Sequence, residues 1–167
     1  YLPLQLVRHK RQDDGGAMRR LRIYVDTSVV GGCLDDEFAE ESQALMRMAV
    51  QGRVVLLVSP LLARELVRAP TEVRAVLESL PPDAVEQVST SPEAESLRDA
   101  YLSAGVVGKS SADDAHHVAV ATVSQASMIV SWNFKHIVHY EKIRGFNAVN
   151  LREGYPPISI HSPREVV

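Results

Sequence analysis

Cysteine is almost absent from this chain of 167 residues, which contains only Cys33. One cysteine cannot form a disulfide within the chain, and no group of cysteines and histidines has the spacing of a zinc finger. No apolar run approaches the roughly 20 residues that a membrane-spanning helix needs. We therefore expect no disulfide framework and no membrane partner, and the cysteine content favours a reducing cytoplasm.

An excess of charge of one sign is also missing, since the formal net charge is -3. This argues against a protein that coats nucleic acid by bulk positive charge, but it allows a local basic rim around an acidic centre. With 46% hydrophobic residues, the chain suits one domain that buries about 70% of the surface of its unfolded form.

Residues 1–17 differ from the remainder in composition. They begin with Tyr1, and the first methionine is Met18, just before the first strand-like run. We interpret 1–17 as an N-terminal extension or leader and 18–167 as a single domain. The segment lacks the apolar stretch of a signal peptide.

Five short apolar runs predict strands, at residues 21–25, 54–58, 84–88, 128–131 and 146–151. Segments with helical spacing lie between the runs, and the tail after Gly154 is predicted to be irregular. This alternation is typical of a three-layer α/β/α domain with a parallel sheet. The third run alternates polar and apolar residues, which indicates an exposed edge strand.

The first run ends abruptly at Asp26, followed by Thr27 and Ser28. Ligands of open α/β sheets bind at the carboxyl ends of the strands, so Asp26 is the first candidate site residue. The alternative is that Asp26 only caps the turn, a role that Asp often has.

Three further polar residues occupy comparable positions. Glu65 lies in the helix predicted after the second strand, where Ser59 is the expected cap and Pro60 the first helical residue. Asp114 opens a later helix, and Asn133 follows the fourth strand. The alternatives are a surface ion pair of Glu65 with Arg64 or Arg68, a capping box of Ser111 with Asp114, and a site role for Asp113 instead of Asp114.

The histidines resemble metal ligands only superficially. His116 and His117 are adjacent in a helix and point about 100° apart, so they cannot share one ion, and we expect them to be packing or rim residues. His136 and His139 have half the spacing of a zinc motif, but the glutamate of a HExxH helix is absent.

The predicted architecture brings Asp26, Glu65, Asp114 and Asn133 to the same edge of the sheet. Carboxylates that converge there would repel one another by roughly 4 kcal/mol per close pair at an effective dielectric constant of 20, unless a cation is present. Carboxylate and amide oxygens are ligands for hard cations, so this set indicates Mg²⁺ or Mn²⁺.

Four motifs in this order resemble those of PIN-domain ribonucleases, of the kind found as VapC-type toxins of bacterial toxin–antitoxin pairs. The matching stretches are Val25-Asp26-Thr27-Ser28-Val29, Arg64-Glu65-Leu66, Asp114-Ala115-His116-His117-Val118-Ala119 and Ser131-Trp132-Asn133-Phe134. The resemblance extends from about Arg22 to the C-terminus and implies a five-stranded parallel sheet of order 3-2-1-4-5.

The resemblance also implies metal-dependent cleavage of RNA phosphodiester bonds. Asp26, Glu65 and Asp114 would hold the metal, and Asn133 stands where many relatives carry a fourth acid. An asparagine there brings no charge, so the metal should bind less tightly than in a site with four acids. The residues expected to contact the RNA backbone are Arg64, Arg68, Lys109, Lys135 and His136.

Toxins of this family are usually dimers held by an antitoxin, which makes a cognate antitoxin and a homodimer through the helix near residues 39–50 the expected protein partners. Two alternatives remain at this point. A HAD-type phosphatase also has an Asp after its first strand, but it needs a second Asp where this chain has Ser28. A PIN-fold module that binds RNA or protein and has lost catalysis through Asn133 is the other.

Overall fold

The computed structural model describes residues 20–167, so the predicted extension at 1–17 lies outside the described residues. Five strands form one sheet in the order β3-β2-β1-β4-β5, and every neighbouring pair is parallel. The predicted sheet order is thereby confirmed. The strands are β1 (Leu21–Val25), β2 (Val54–Val58), β3 (Val85–Gln87), β4 (Met128–Val130) and β5 (Ser159–His161).

Within residues 20–167, seven α-helices connect and cover the strands. They are α1 (Thr27–Gly32), α2 (Ala39–Val50), α3 (Pro60–Val67), α4 (Thr71–Glu78), α5 (Pro92–Ser103), α6 (Ala112–Val123) and α7 (Tyr140–Arg152). Three single turns of 3-10 helix lie at Pro82–Ala84, Lys109–Ser111 and Pro163–Glu165. No helix among residues 20–167 is both long and apolar enough to cross a membrane.

The sheet separates two apolar cores because successive side chains of a strand point to opposite faces. Tyr24 and Leu57 belong to the core under α5, α6 and α7, whereas Ile23, Val25 and Leu56 belong to the core under α1 to α4. Both faces of the central strands are therefore buried, which explains why β1 and β2 read as continuous apolar runs.

Local sequence signals set the starts of two helices. The Ser59 hydroxyl accepts a hydrogen bond from the backbone N–H of Leu62 at 3.3 Å, and Pro60 is the first residue of α3. Ser91 accepts from Ala94 N–H at 3.2 Å before Pro92 in the same way. The predicted cap at Ser59 is confirmed.

The predicted fifth strand at 146–151 is wrong, because these residues lie in α7. Phe146 and Val149 recur three residues apart and bury one face of the helix against the core, with Phe146 edge-on to Tyr101 at 4.9 Å between ring centroids. Helical spacing and burial against the core therefore determine the structure of this segment.

The true fifth strand, β5, lies in the tail that was predicted to be irregular. The Asn147 side chain of α7 pairs with the backbone of Ile158, since its Oδ1 accepts from Ile158 N–H at 2.8 Å and its Nδ2 donates to Ile158 C=O at 3.1 Å. This contact holds the chain beside α7 and directs Ser159–His161 along β4.

Candidate active site

Asp26 lies at the carboxyl end of β1, immediately before α1. It occupies the capping position of α1 but makes no side-chain capping hydrogen bond, and it is only 5% exposed. A residue that merely capped a turn would not need such burial. The geometry therefore disfavours the alternative in which Asp26 only caps the turn.

Two serine hydroxyls hold the carboxylate of Asp26. Ser28 Oγ donates to Oδ1 and Ser131 Oγ donates to Oδ2, both at 2.6 Å. Each serine also accepts a backbone N–H at 2.9 Å, Ser28 from Trp132 and Ser131 from Asn133. The carboxylate thus ties the end of β1 to the end of β4, and its orientation is fixed from both sides.

The pKa of Asp26 is raised above the usual value of an aspartate. Burial is the main cause, because it removes water from the charged form, and the nearby Glu65 adds to the rise. His117 and the two serine hydrogen bonds act in the opposite direction without outweighing burial. The hydrogen bonds and charges around Asp26 therefore do not fully offset the cost of burying its ionised carboxylate.

Glu65 projects from α3 toward the same region. Thr27 Oγ1 donates to its Oε2, and His117 Nε2 donates to its Oε1 at 2.9 Å. Burial raises the pKa of Glu65, but the His117 hydrogen bond and charge, together with Thr27, outweigh it and leave the pKa lowered. Glu65 therefore has a direct hydrogen bond to His117 that Asp26 lacks, and it does not form the predicted alternative of a surface pair with Arg64 or Arg68.

His117 is the residue that sequence reasoning undervalued. It is 2% exposed, and its Nδ1 lies 2.6 Å from the Tyr24 hydroxyl, which in turn lies 2.8 Å from Ser59 Oγ. Burial lowers the pKa of His117, but the hydrogen bond to Glu65 and the charges of the surrounding acids leave it raised. The hydrogen bonds between Ser59 and Tyr24 and between Tyr24 and His117 therefore hold the ring that contacts Glu65.

Asp114 lies half-buried in the first turn of α6, and its pKa is raised. Burial is the first cause and the charge of Asp26 adds to it, while a hydrogen bond from Asn133 and the nearby His136 act to lower the pKa. Asn133 Oδ1 also accepts the backbone N–H of His136 at 2.9 Å. Asn133 therefore does two things, holding its own turn and contacting Asp114.

The neighbouring Asp113 has a different environment. Its side chain is 69% exposed and pairs with Arg64 at 3.6 Å, so it does not share the environment of Asp26. Ser111 makes no side-chain capping hydrogen bond, and the capping box predicted for Ser111 and Asp114 is therefore wrong. Asp114 is turned instead toward Asn133.

The remaining histidines differ in burial. His116 is buried and its pKa is lowered by that burial, with Arg98 Nη1 3.4 Å from its Nδ1. His116 is thus a packing residue, as predicted, whereas His117 combines burial with a polar contact to Glu65. His136 and His139 belong to the loop between β4 and α7.

The residues predicted to contact RNA lie on several elements of the structure. Arg64 and Arg68 line a cavity of about 270 Å³ together with Glu65 and Asp113. Lys109 and Lys135 are exposed, and His136 is half-buried beside Asp114.

The fit of a divalent cation depends on the donor atoms and on their geometry. Carboxylate, hydroxyl and amide oxygens are the ligands that Mg²⁺ prefers, and the mutual influence of Asp26, Glu65 and Asp114 on their pKa values shows that negative charge converges here. Within 20–167, no three Asp, Glu, His or Cys side chains are already placed to hold an ion. The donor chemistry fits, and Glu65 would exchange its hydrogen bonds to Thr27 and His117 for the ion.

Close packing fixes the end of β4 next to these acids. Trp132 Nε1 donates to Ser42 Oγ at 2.8 Å, and the indole stacks on Phe38 with 4.3 Å between centroids. A Cβ atom at Gly32 would lie 2.6 Å from Ser42 Oγ, so only glycine allows α1 to approach this closely. The loop that carries Asn133 is therefore anchored rigidly.

Comparison with known proteins agrees with this architecture. No curated protein sequence matches the chain. One similar solved structure is the crystal structure of VapBC2 from Rickettsia felis bound to a DNA fragment from their promoter, with 11% identity, a TM-score of 0.50, and coverage of 85% of this chain and 98% of that one. Another is the crystal structure of DNA bound VapBC from Salmonella typhimurium, with 18% identity, a TM-score of 0.53, and coverage of 86% and 98%.

These identities establish similarity of fold alone. A family model described as PIN domain matches residues 22–135, which include β1, β4 and all four candidate residues Asp26, Glu65, Asp114 and Asn133. The chain belongs to the PIN domain family.

Proposed function

We propose that this protein is a Mg²⁺- or Mn²⁺-dependent endoribonuclease of the cytoplasm that acts as the toxin of a type II toxin–antitoxin pair. The observation that carries the proposal is the buried Asp26, whose carboxylate is held by Ser28 and Ser131 and which lies in one group of acids with Glu65 and Asp114. Surplus negative charge at the carboxyl edge of a parallel sheet is what a divalent cation would neutralise.

The chain's residues divide into ligands and positioning groups. Asp26, Glu65 and Asp114 would hold the ion, with the Asn133 amide beside them. A metal held by these residues would supply an activated water for attack on the phosphodiester and would stabilise charge on the phosphate. Ser28 and Ser131 orient Asp26, and His117 orients Glu65 until the ion binds.

The substrate class follows from the surroundings of the acids. Arg64 and Arg68 line the cavity beside Glu65, and we expect them to contact RNA phosphates together with Lys109, Lys135 and His136. Phosphate contacts of this kind make binding sensitive to salt.

An antitoxin is the proposed regulator, supported by the two similar chains, which come from crystal structures of VapBC complexes. A basic antitoxin residue would neutralise the acids as the cation does, and so block the site. A cognate antitoxin should therefore compete with Mn²⁺ for the free protein.

The proposed homodimer needs a surface other than the apolar stripe of α2. Leu45, Met46 and Ala49 of that helix are buried in the chain's own core. Leu34 and Val50 remain more than half exposed and line a groove of about 370 Å³ between α2 and α4. Sedimentation tests the dimer directly, and a monomer at micromolar concentration would exclude it.

Cleavage of a defined RNA pool with Mg²⁺ or Mn²⁺ tests the proposed activity. Asp26→Asn and Asp114→Asn should abolish cleavage while the protein stays folded. Asp113→Asn is the matched control, because Asp113 is adjacent in sequence but exposed and paired with Arg64, and it should retain activity. Calorimetric titration with Mn²⁺ gives an independent readout of the ligands.

The second candidate function is a PIN-fold module that binds RNA or protein without cleaving it. The observation that favours it is Asn133, whose amide makes a turn hydrogen bond to His136 and brings no charge to the acids. RNA binding by the wild type without cleavage in either metal would establish this module and overturn the nuclease.

A further inference from the structure

Two exposed aromatic side chains lie in the segment that leaves the acidic site. Within residues 20–167, the aromatic rings with the largest exposure belong to Phe134, at 45%, and Tyr140, at 70%. Tyr24, Tyr101 and Phe146 are fully buried. Exposing a large aromatic ring to water is energetically unfavourable. Two such rings in a single short segment therefore indicate a ligand-binding surface.

The segment is anchored to the site by Asn133. The backbone C=O of Asn133 accepts from Ile137 N–H at 3.1 Å and from Val138 N–H at 2.8 Å. Phe134 is the next residue after Asn133, and its ring packs edge-on against Trp132 at 6.1 Å between centroids. The Phe134 ring is therefore held immediately beside the candidate catalytic residues, yet it remains accessible.

Tyr140 lies later in the same segment, where the loop after β4 enters α7. It is the first residue of α7, and the guanidinium carbon of Arg144, one turn later, lies 5.6 Å from its ring centroid. The guanidinium thus covers one face of the ring, and a base that stacks on the other face would have this cation within reach of its phosphate.

The charge of the segment complements a polyanion. Residues 134–144 contain three cations, Lys135, Lys142 and Arg144, and one acid, Glu141, in a chain whose formal net charge is -3. Aromatic rings interleaved with cations are typical of surfaces that bind single-stranded nucleic acid, because every base has a face that can stack.

We propose that residues 133–144 form a track for unpaired RNA bases, with Phe134 and Tyr140 as stacking platforms and with Lys135 and Arg144 as phosphate contacts. This inference rests on the proposed function, since it assigns single-stranded RNA as the substrate of that site. Paired bases are already stacked on one another, so a duplex cannot use these rings.

Binding to a fluorescent single-stranded oligoribonucleotide, and to the same sequence as a duplex, tests the track. The measurements use the full chain with Asp26→Asn, so that no cleavage occurs. Adding Phe134→Ala or Tyr140→Ala should weaken single-strand binding by about tenfold each, because stacking on an aromatic residue contributes about 1–3 kcal/mol per base. Duplex binding should not change.

Three variants separate stacking from other effects. Phe134→Trp preserves a stacking face and should retain single-strand affinity. Leu151→Ala is the matched control, because Leu151 is exposed by 62% on the same helix as Tyr140 but has no ring, and it should bind like the parent. Lys135→Ala should reduce the salt dependence of binding by about one phosphate contact, whereas Phe134→Ala should leave that dependence unchanged.

The outcomes distinguish this inference from the proposed function. Cleavage by the wild type together with unchanged binding in both alanine variants would overturn the track and leave the nuclease. Weakened single-strand binding without any cleavage by the wild type would support the track and overturn the nuclease. A change from dimer to monomer in Phe134→Ala, with RNA binding intact, would show a protein interface and overturn the track.

Discussion

The two ends of β1 carry charges in opposite environments. Near its amino end, Arg22 donates to both carboxylate oxygens of Glu86, at 2.8 and 2.9 Å, and to the backbone carbonyls of Ser124 and Gln125. At its carboxyl end, Asp26 is held only by neutral serine hydroxyls. The charge at the amino end of β1 is neutralised by an ion pair, whereas the carboxylate at its carboxyl end is not.

The pKa values of Glu86 and Asp26 show how the two ends of β1 affect the stability of the fold. The hydrogen bond and charge of Arg22 lower the pKa of Glu86, so ionised Glu86 favours the folded state. Burial raises the pKa of Asp26, so ionised Asp26 opposes folding. A fold retains a destabilising buried charge where a binding site needs it. Four substitutions test this comparison between the two ends of β1.

The largest effect is expected from removing His117, the buried histidine that contacts Glu65. His117→Ala should lower the free energy of unfolding by about 3 kcal/mol, because it leaves Glu65 without its buried partner and opens a cavity. Urea denaturation followed by the fluorescence of Trp132 measures this loss. His139→Ala, at an exposed loop position without a capping contact, is the control and should change stability little. Equal midpoints for both variants would contradict the prediction.

Neutralising Asp26 should instead raise the free energy of unfolding. Asp26→Asn should stabilise the metal-free protein at pH 7 by roughly 1 kcal/mol, since the amide avoids the cost of a buried charge. The raised pKa of Asp26 gives its pH dependence. Below that folded-state pKa the wild type is itself neutral at this position, so the gain should disappear as the pH falls. Asp113→Asn should show no comparable gain in thermal melts over the same pH series.

Adding charge to the carboxyl end sharpens the comparison further. Asn133→Asp should destabilise the metal-free protein by about 0.5 kcal/mol, because a second carboxylate comes close to Asp114. The turn contact to His136 N–H needs only an acceptor oxygen, and the aspartate keeps one. Mg²⁺ should reverse this loss because it binds the folded state. The substitution should also lower the metal concentration that is needed for cleavage. Parallel melting curves of both proteins across a Mg²⁺ series would remove Asn133 from the site.

The smallest effect is expected at the amino end. Glu86→Gln should cost only about 0.3 kcal/mol, since the pair with Arg22 is partly exposed to water and screened. The lowered pKa of Glu86 means that its contribution is present at neutral pH and is lost as the pH falls through the folded-state pKa. The difference between the variant and the wild type should therefore vanish in acid and should not respond to Mg²⁺. A Mg²⁺-dependent difference would show that the two ends are coupled.

The fold was largely predictable because buried parallel strands leave a strong sequence signal. β1 and β2 are apolar throughout and end at polar residues, and the cap at Ser59 follows from its residue type. β5 left no such signal, since Ser159 and His161 flank a single apolar residue, Ile160, at the edge of the sheet. Its position depends on the contact between Asn147 and Ile158, which a local pattern does not contain.

The candidate site was predictable only in part for a related reason. Asp26 and Asn133 follow strands, Asp114 lies in the first turn of α6, and Glu65 lies in the helix that follows β2, so topology predicts that they approach one edge of the sheet. The hydrogen bonds of Ser131 and His117 connect residues 105 and 52 positions apart in the chain. A histidine inside an apolar helix face predicts packing, and only the fold shows that the same ring contacts Glu65.

The late position of β5 in the chain has a consequence for biosynthesis. The backbone N–H of Ser131, whose hydroxyl holds Asp26, donates to the carbonyl of His161 in the strand that extends the sheet last. During vectorial synthesis the ribosome releases residues 159–161 after every other element of the site, because chains emerge from the N-terminus. A nascent chain therefore carries Asp26 before the strand that supports Ser131 has been made, so the carboxylate gains its final orientation only after β5 has joined the sheet.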